Sequence, residues 1–157
     1  MRFRNVLTLL FLVPFALGQS AHALESCPKT IPRDMAPVSD WPDVDTWIGT
    51  EGLAVILPHD GYWTTTDPGK QISIKLFWYA EGFEPGMEQD FRVSIERLDE
   101  GPNDARVLGP TNAIQPSGVA TILTGIGFSS AGCWKVSAEF NQQALDFVVE
   151  TLPRFRP

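Results

Sequence analysis

The stretch Gly132-Cys133-Trp134-Lys135-Val136-Ser137-Ala138-Glu139-Phe140, followed across Asn141-Gln142-Gln143 by Leu145-Asp146-Phe147-Val148-Val149, decides the fold. Trp134, Val136, Ala138 and Phe140 alternate with Lys135, Ser137 and Glu139, and Leu145, Phe147 and Val149 alternate with Asp146 and Glu150. A period of two marks a strand with one face in a core and one in water, because successive side chains leave opposite sides of the pleated backbone. The segment therefore reads as a turn, a strand, a three-residue loop and a closing strand, the last hairpin of a β-sandwich. On this parity Trp134 points inward and Cys133 to the outer face.

Working outward, the same signature recurs. Gly52 to Leu57 is an apolar run; Ile72, Ile74, Leu76 and Trp78 alternate with Ser73, Lys75 and Phe77; Phe91, Val93 and Ile95 alternate with Arg92, Ser94 and Glu96. Ala105 to Leu108 and Val119 to Leu123 add two short strands. Between the runs lie turn-forming clusters: Pro58-His59-Asp60-Gly61, Asp67-Pro68-Gly69, Glu84-Pro85-Gly86, Asp99-Glu100-Gly101-Pro102 and Gln115-Pro116-Ser117-Gly118. Seven short strands with a turn every ten residues or so predict an all-β, seven-stranded immunoglobulin-like antiparallel sandwich over residues 47–157, with a Greek-key barrel as the nearest competitor.

The N-terminal part reads differently. Pro28, Pro32, Pro37 and Pro42 punctuate residues 24–46, each removing an amide donor and fixing its own φ, so an extended proline-rich arm is expected there. Before it, Arg2 and Arg4 precede the apolar run Val6 to Leu17, and Ala21-His22-Ala23 places small residues where a signal peptidase reads them. Residues 1–23 are thus expected to be a signal peptide cleaved after Ala23. The apolar run is short of the roughly 20 residues a membrane-spanning helix needs. Leu24-Glu25-Ser26-Cys27 also places a leucine three residues before a cysteine, as a lipidation box does, although Glu25 and the distance from Leu17 argue against that use. The expected location is periplasmic or secreted, the alternative being a lipoprotein anchored through Cys27.

Export brings an oxidising compartment, and Cys27 and Cys133 are the only two cysteines. Their pairing is expected, and it would pin the arm across the outer face of the last hairpin. Two free thiols, or a lipidated Cys27, are the other readings.

Composition narrows the function. A net charge of −7 with only twelve Lys and Arg spread along 157 residues argues against a nucleic-acid partner, which calls for clustered cations against phosphate. Cleavage after Ala23 would remove His22 and leave Cys27, Cys133 and His59, one ligand short of a four-ligand Cys/His zinc site, and two cysteines fall short of an iron–sulfur cluster, so no cofactor is expected. His59-Asp60 with Ser129-Ser130 does not make a hydrolytic triad, since Gly127-Phe128-Ser129-Ser130-Ala131 lacks the closing glycine of a nucleophile elbow and leads into a strand. Gly125-Ile126-Gly127 lacks the third glycine and the helix of a dinucleotide loop. Asp40, Asp43 and Asp45 lack the glycine and terminal glutamate of an EF-hand and read as a solvated acidic arm. Glu81, Glu84, Glu88 and Asp90 form a second acidic cluster, from which a glycosidase pair could in principle be drawn.

A recognition surface is expected at the turn carrying His59, Asp60, Tyr62 and Trp63. Pro58 and Gly61 fix its backbone, and two aromatics offer contact area at low entropic cost. Tyr62 and Trp63 alternate along the strand that follows, so at most one of them can enter the core. Trp63 covering an open end of the sandwich is the competing reading.

Two stretches, Trp47-Ile48-Gly49-Thr50-Glu51-Gly52-Leu53-Ala54-Val55-Ile56-Leu57-Pro58-His59-Asp60-Gly61-Tyr62-Trp63 and Gly132-Cys133-Trp134-Lys135-Val136, resemble those of a family of small exported bacterial proteins. In that family an aromatic-Gly segment and a Leu-Pro-x-Asp-Gly turn open the domain, and a Gly-Cys-Trp strand precedes a Phe-Val-Val end. This chain differs in Ala54, where a bulkier residue is frequent, and in a longer loop over residues 80–89. The resemblance implies a bacterial source and an immunoglobulin-like sandwich, and it brings no activity with it. The functional expectation is therefore a monomeric, non-catalytic binding or interaction module of the cell envelope, with a protein or glycan partner; the alternative is a small hydrolase acting on envelope material.

Overall fold

In the computed structural model, residues 26–32, 47–57, 62–64, 72–115 and 118–152 are described. They form nine strands: β1 (Trp47–Gly49), β2 (Leu53–Ile56), β3 (Tyr62–Thr64), β4 (Ile72–Ala80), β5 (Arg92–Arg97), β6 (Arg106–Ile114), β7 (Ala120–Phe128), β8 (Gly132–Phe140) and β9 (Gln143–Leu152). The one helical element among these residues is a 3-10 turn at Glu88–Asp90, so no described helix is long and apolar enough to cross a membrane.

The strands make two sheets, ordered β1-β2-β4-β7-β6 and β3-β9-β8-β5. The order β2-β4-β7-β6 against β9-β8-β5 is the A-B-E-D against G-F-C arrangement of an immunoglobulin-type sandwich. The expected seven strands are all present, and β1 and β3, of three residues each, are additional. Pairing is antiparallel throughout except at one edge, where β3 runs parallel to β9 with Tyr62, Trp63 and Thr64 opposite Glu150, Thr151 and Leu152. Two strands are longer than their apolar runs suggest. β6 continues through Gly109 and Pro110 because a bulge between Leu108 and Pro110 absorbs them, and an edge strand tolerates a proline that a central one would reject. β7 continues through Gly125 and Gly127 to Phe128 in register with β4.

The alternation read from the hairpin holds in space. Trp134, Val136, Ala138 and Phe140 of β8 are buried, with Phe147 and Val149 of β9 beside them. Phe140 pairs directly with Gln143, which shortens the connecting turn to Asn141-Gln142, and Asn141 takes the left-handed φ of 53° that asparagine tolerates. The core is aromatic. Trp134 lies 5.0 Å from Phe128, which lies 5.7 Å from Trp63, and Trp78 contacts Phe91 at 5.2 Å and Phe147 at 5.9 Å. Two of these indoles find buried threonine acceptors: Trp78 Nε1 donates to Thr124 Oγ1 at 2.8 Å and Trp134 Nε1 to Thr151 Oγ1 at 3.0 Å. Such pairing removes the cost of carrying an N–H into the core.

Cys27 and Cys133 form a disulfide, with Cα atoms 5.5 Å apart. Cys133 occupies the outward parity of β8 and is nevertheless buried, because residues 26–32 lie over it. This arm segment takes no helix or strand. Thr30 holds it to β9 twice: its N–H donates to the Val148 carbonyl at 2.8 Å, and its Oγ1 accepts the Val148 N–H at 2.9 Å. Lys29 Nζ adds an ion pair with Glu150 at 3.8 Å.

Candidate functional site

His59 and Asp60 of the expected recognition turn lie outside the described residues, as does the side chain of Tyr62. Trp63 is placed, and it is core: 2% of its surface is exposed and its ring packs on Phe128. Of the two alternating aromatics, Trp63 is thus the inward one. Its ring plugs the sandwich, and its area is not available to a partner, which removes it from the recognition surface. Asp40, Asp43 and Asp45 also lie outside the described residues.

In the acidic loop after β4, Glu88 serves the fold. Glu88 accepts the Gly86 N–H at 3.0 and 3.1 Å and the Asn112 amide Nδ2 at 2.7 Å, stapling the loop to β6. Hydrogen bonds from the backbone N–H groups of Glu88 and Gly86, then from Asn112, hold its carboxyl below the usual glutamate range. Among the described residues no three acidic, histidine or cysteine side chains converge in a way that could hold a metal ion.

Ser130 is likewise structural. Its Oγ accepts from the Arg97 guanidinium at 2.8 Å, while the same guanidinium donates to Asp99 at 2.7 Å and to the Ala131 carbonyl at 2.9 Å. Arg97 also lies 4.8 Å over the Trp134 ring. One side chain therefore buckles the end of β5, the loop before β6 and the β7–β8 turn together. On the outer face of the β3-β9-β8-β5 sheet, Lys135 and Asp146 bond at 2.8 Å. That hydrogen bond raises the Lys135 pKa and lowers that of Asp146. Desolvation, followed by the nearby charge of Glu81, raises the Tyr79 phenol.

A cleft of about 260 Å³ opens between the arm, β1 and the edge of β9, lined by Thr30, Ile31, Trp47, Ile48, Gly49, Thr50 and Leu145. Its shape follows from local chemistry. Gly49 turns the chain from β1 toward β2 with a φ of 135°, and a Cβ there would collide with the Leu53 carbonyl oxygen, so only glycine fits. Thr50 Oγ1 then accepts the Gly52 and Leu53 N–H groups at 3.3 and 3.2 Å, closing the turn. On β9, behind the arm, Val148 sends both its N–H and its C=O toward Thr30. In an antiparallel strand the residues two apart share that direction, so Ala144 and Asp146 also aim their backbone groups away from β8, at an edge that no other described strand covers. Thr30 covers the Val148 position, and β3 takes over at Glu150.

The cleft presents hydroxyls and aliphatic carbon. Among the described residues, its lining carries no carboxylate, imidazole, amine or thiol. Sequence reasoning missed it because it joins three segments far apart in the chain, each with an ordinary reason to be apolar; the Thr30-Ile31 pair between Pro28 and Pro32 was its one local signal. No family model, no curated protein and no solved structure matches the chain.

Proposed function

We propose that this chain is an exported, non-catalytic binding module of a bacterial cell envelope, with the cleft beside β1 and β9 as its recognition site. The observation that carries the reading is the cleft's lining, in which Thr30 and Thr50 supply hydroxyls and Ile31, Ile48 and Leu145 supply contact area. Such a surface can orient and desolvate a partner, whereas acid–base or nucleophilic chemistry requires converging titratable groups. The signal-like segment ending at Ala23 supports export. Engagement of the Cys27 sulfur in a disulfide favours a periplasmic or secreted protein over a lipid-anchored one, since a sulfur bonded to Cys133 has no valence for a thioether.

Ile31 offers the test, because it stands at the cleft with 61% of its surface exposed. Tagged wild-type chain and an Ile31→Glu variant would be passed over the same envelope extract. The expected outcome is at least a tenfold loss of the captured component at unchanged melting temperature, a loss of about 1.4 kcal/mol in binding. Equal capture by both proteins would move recognition away from this cleft.

A further inference from the structure

We propose that the Cys27–Cys133 disulfide is the lock of a releasable strap: reduction by a dithiol frees residues 26–32 from the sandwich, bares the edge of β9 and takes down one wall of the cleft.

Burial supplies little to hold the segment. Ser26, Pro28 and Ile31 are exposed, Cys27, Lys29 and Thr30 are half-buried, and Pro32 alone is buried. The one large aliphatic side chain, Ile31, leaves 61% of its surface in water. The segment's backbone has no strand ladder; the polar contacts that tie it to the body include the two hydrogen bonds between Thr30 and Val148 and the Lys29–Glu150 ion pair. Ordering seven residues costs more conformational entropy than a few hydrogen bonds and partly exposed ion pairs return. The covalent bond makes up the difference by keeping Thr30 beside Val148.

The body does not depend on the strap in the same way. The buried aromatic cluster and the β4–β7 and β8–β9 ladders include none of residues 26–32. Reduction is therefore a local event.

Attack is directed by exposure. Cys27 is half-buried while Cys133 is 6% exposed, so the incoming thiolate meets Cys27 Sγ and the Cys133 sulfur leaves as thiolate. The second thiol of the reductant then displaces Cys27 and closes the reductant's own disulfide. Two electrons pass to the protein, and two cysteine thiols result once the thiolates take up protons. With the strap gone, the Val148 N–H and C=O lose their partners on Thr30, and Thr30 and Ile31 no longer line the cleft. This last consequence rests on the binding reading above; release of the strap does not.

The test is hydrogen exchange, resolved by residue, on the full chain in its oxidised form, after dithiothreitol under native conditions, and as the Cys27→Ser variant without reductant. The Thr30 and Val148 amides are expected to lose protection roughly a hundredfold in both altered forms, while those of Ile126 and Val136 keep theirs. The proposal is overturned if Thr30 and Val148 stay protected after reduction. It is equally overturned if protection falls throughout the ladders, or if the disulfide resists dithiothreitol until the domain is denatured. Envelope capture by the two redox forms separates the readings: strap release with identical capture would sink the cleft assignment and leave the lock standing.

Discussion

Arg97 donates to Asp99, the Ser130 hydroxyl and the Ala131 carbonyl while covering the face of Trp134. Arg97→Ala would strand those acceptors and uncover the indole. We expect a loss of about 2–3 kcal/mol in urea unfolding, with Arg97→Lys recovering little because an ammonium cannot fork to several acceptors at once. Trp63 makes the contrasting case. Trp63→Ala would empty a fully buried site against Phe128, and about 3–5 kcal/mol of stability should go with it. A melting temperature within a degree of wild type would contradict the core position of that ring. Both side chains show where sequence reading stops. The alternation of Tyr62 and Trp63 settles that they diverge, yet which one turns inward depends on β3 pairing with Thr151, a contact 88 residues away in the register Trp63 to Thr151. Arg97 closes period-two alternation at the end of β5, where a charged residue ordinarily signals solvent; only the Trp134 face opposite it makes the inward site suitable.

Among the elements, β8 and β9 were legible because the alternation from Trp134 to Phe140 and from Leu145 to Glu150 leaves one register that buries Trp134, Phe140 and Phe147 together. β1 and β3 were not, since three residues carry no period. β6 was cut short in the sequence reading for a physical reason: Gly109-Pro110 is a turn signal that the structure uses as a bulge. That bulge guards an edge. Leu108 and Ile114 of β6 are 63% and 70% exposed, and the Gln115 N–H bond to the Val119 carbonyl sets a phase in which Pro110, Asn112 and Ile114 face the free side. Pro110 has no N–H to offer a second strand there. Pro110→Val should therefore raise self-association, seen as a concentration-dependent increase in sedimentation coefficient with unchanged circular dichroism. No change in sedimentation would mean that the edge is protected by other means.

At the scale of the whole molecule, the disulfide closes a loop with a sequence separation of 106. Constraining an unfolded chain to that extent is worth about 4–5 kcal/mol in the chain-entropy model. Cys27→Ser should cost less, about 2–3 kcal/mol in urea denaturation, because a strap freed in the native state regains part of the same entropy. A loss at the full chain-entropy value would mean that residues 26–32 stay ordered without the bond. The sandwich was legible at this scale because strand count, turn spacing and the inward tryptophan all agreed. The cleft was not, because it arises where β1, the arm and β9 meet, and no single segment carries its outline.

The parallel pairing of β3 with β9 bears on how the chain comes to be folded at all. Residues 62–64 find their neighbours only at 150–152, and Cys27 finds its neighbour only at 133. A polypeptide delivered from its N-terminus presents these early segments long before their counterparts arrive. Until the final strand has emerged, Trp63 has no wall to lie against and the first cysteine has no mate. With just two cysteines in the chain, the wait carries no risk of pairing with a wrong cysteine of the same chain. Completion of this protein is thus a single late event, set by the delivery of its last thirty or so residues and slow by the measure of its distant contacts.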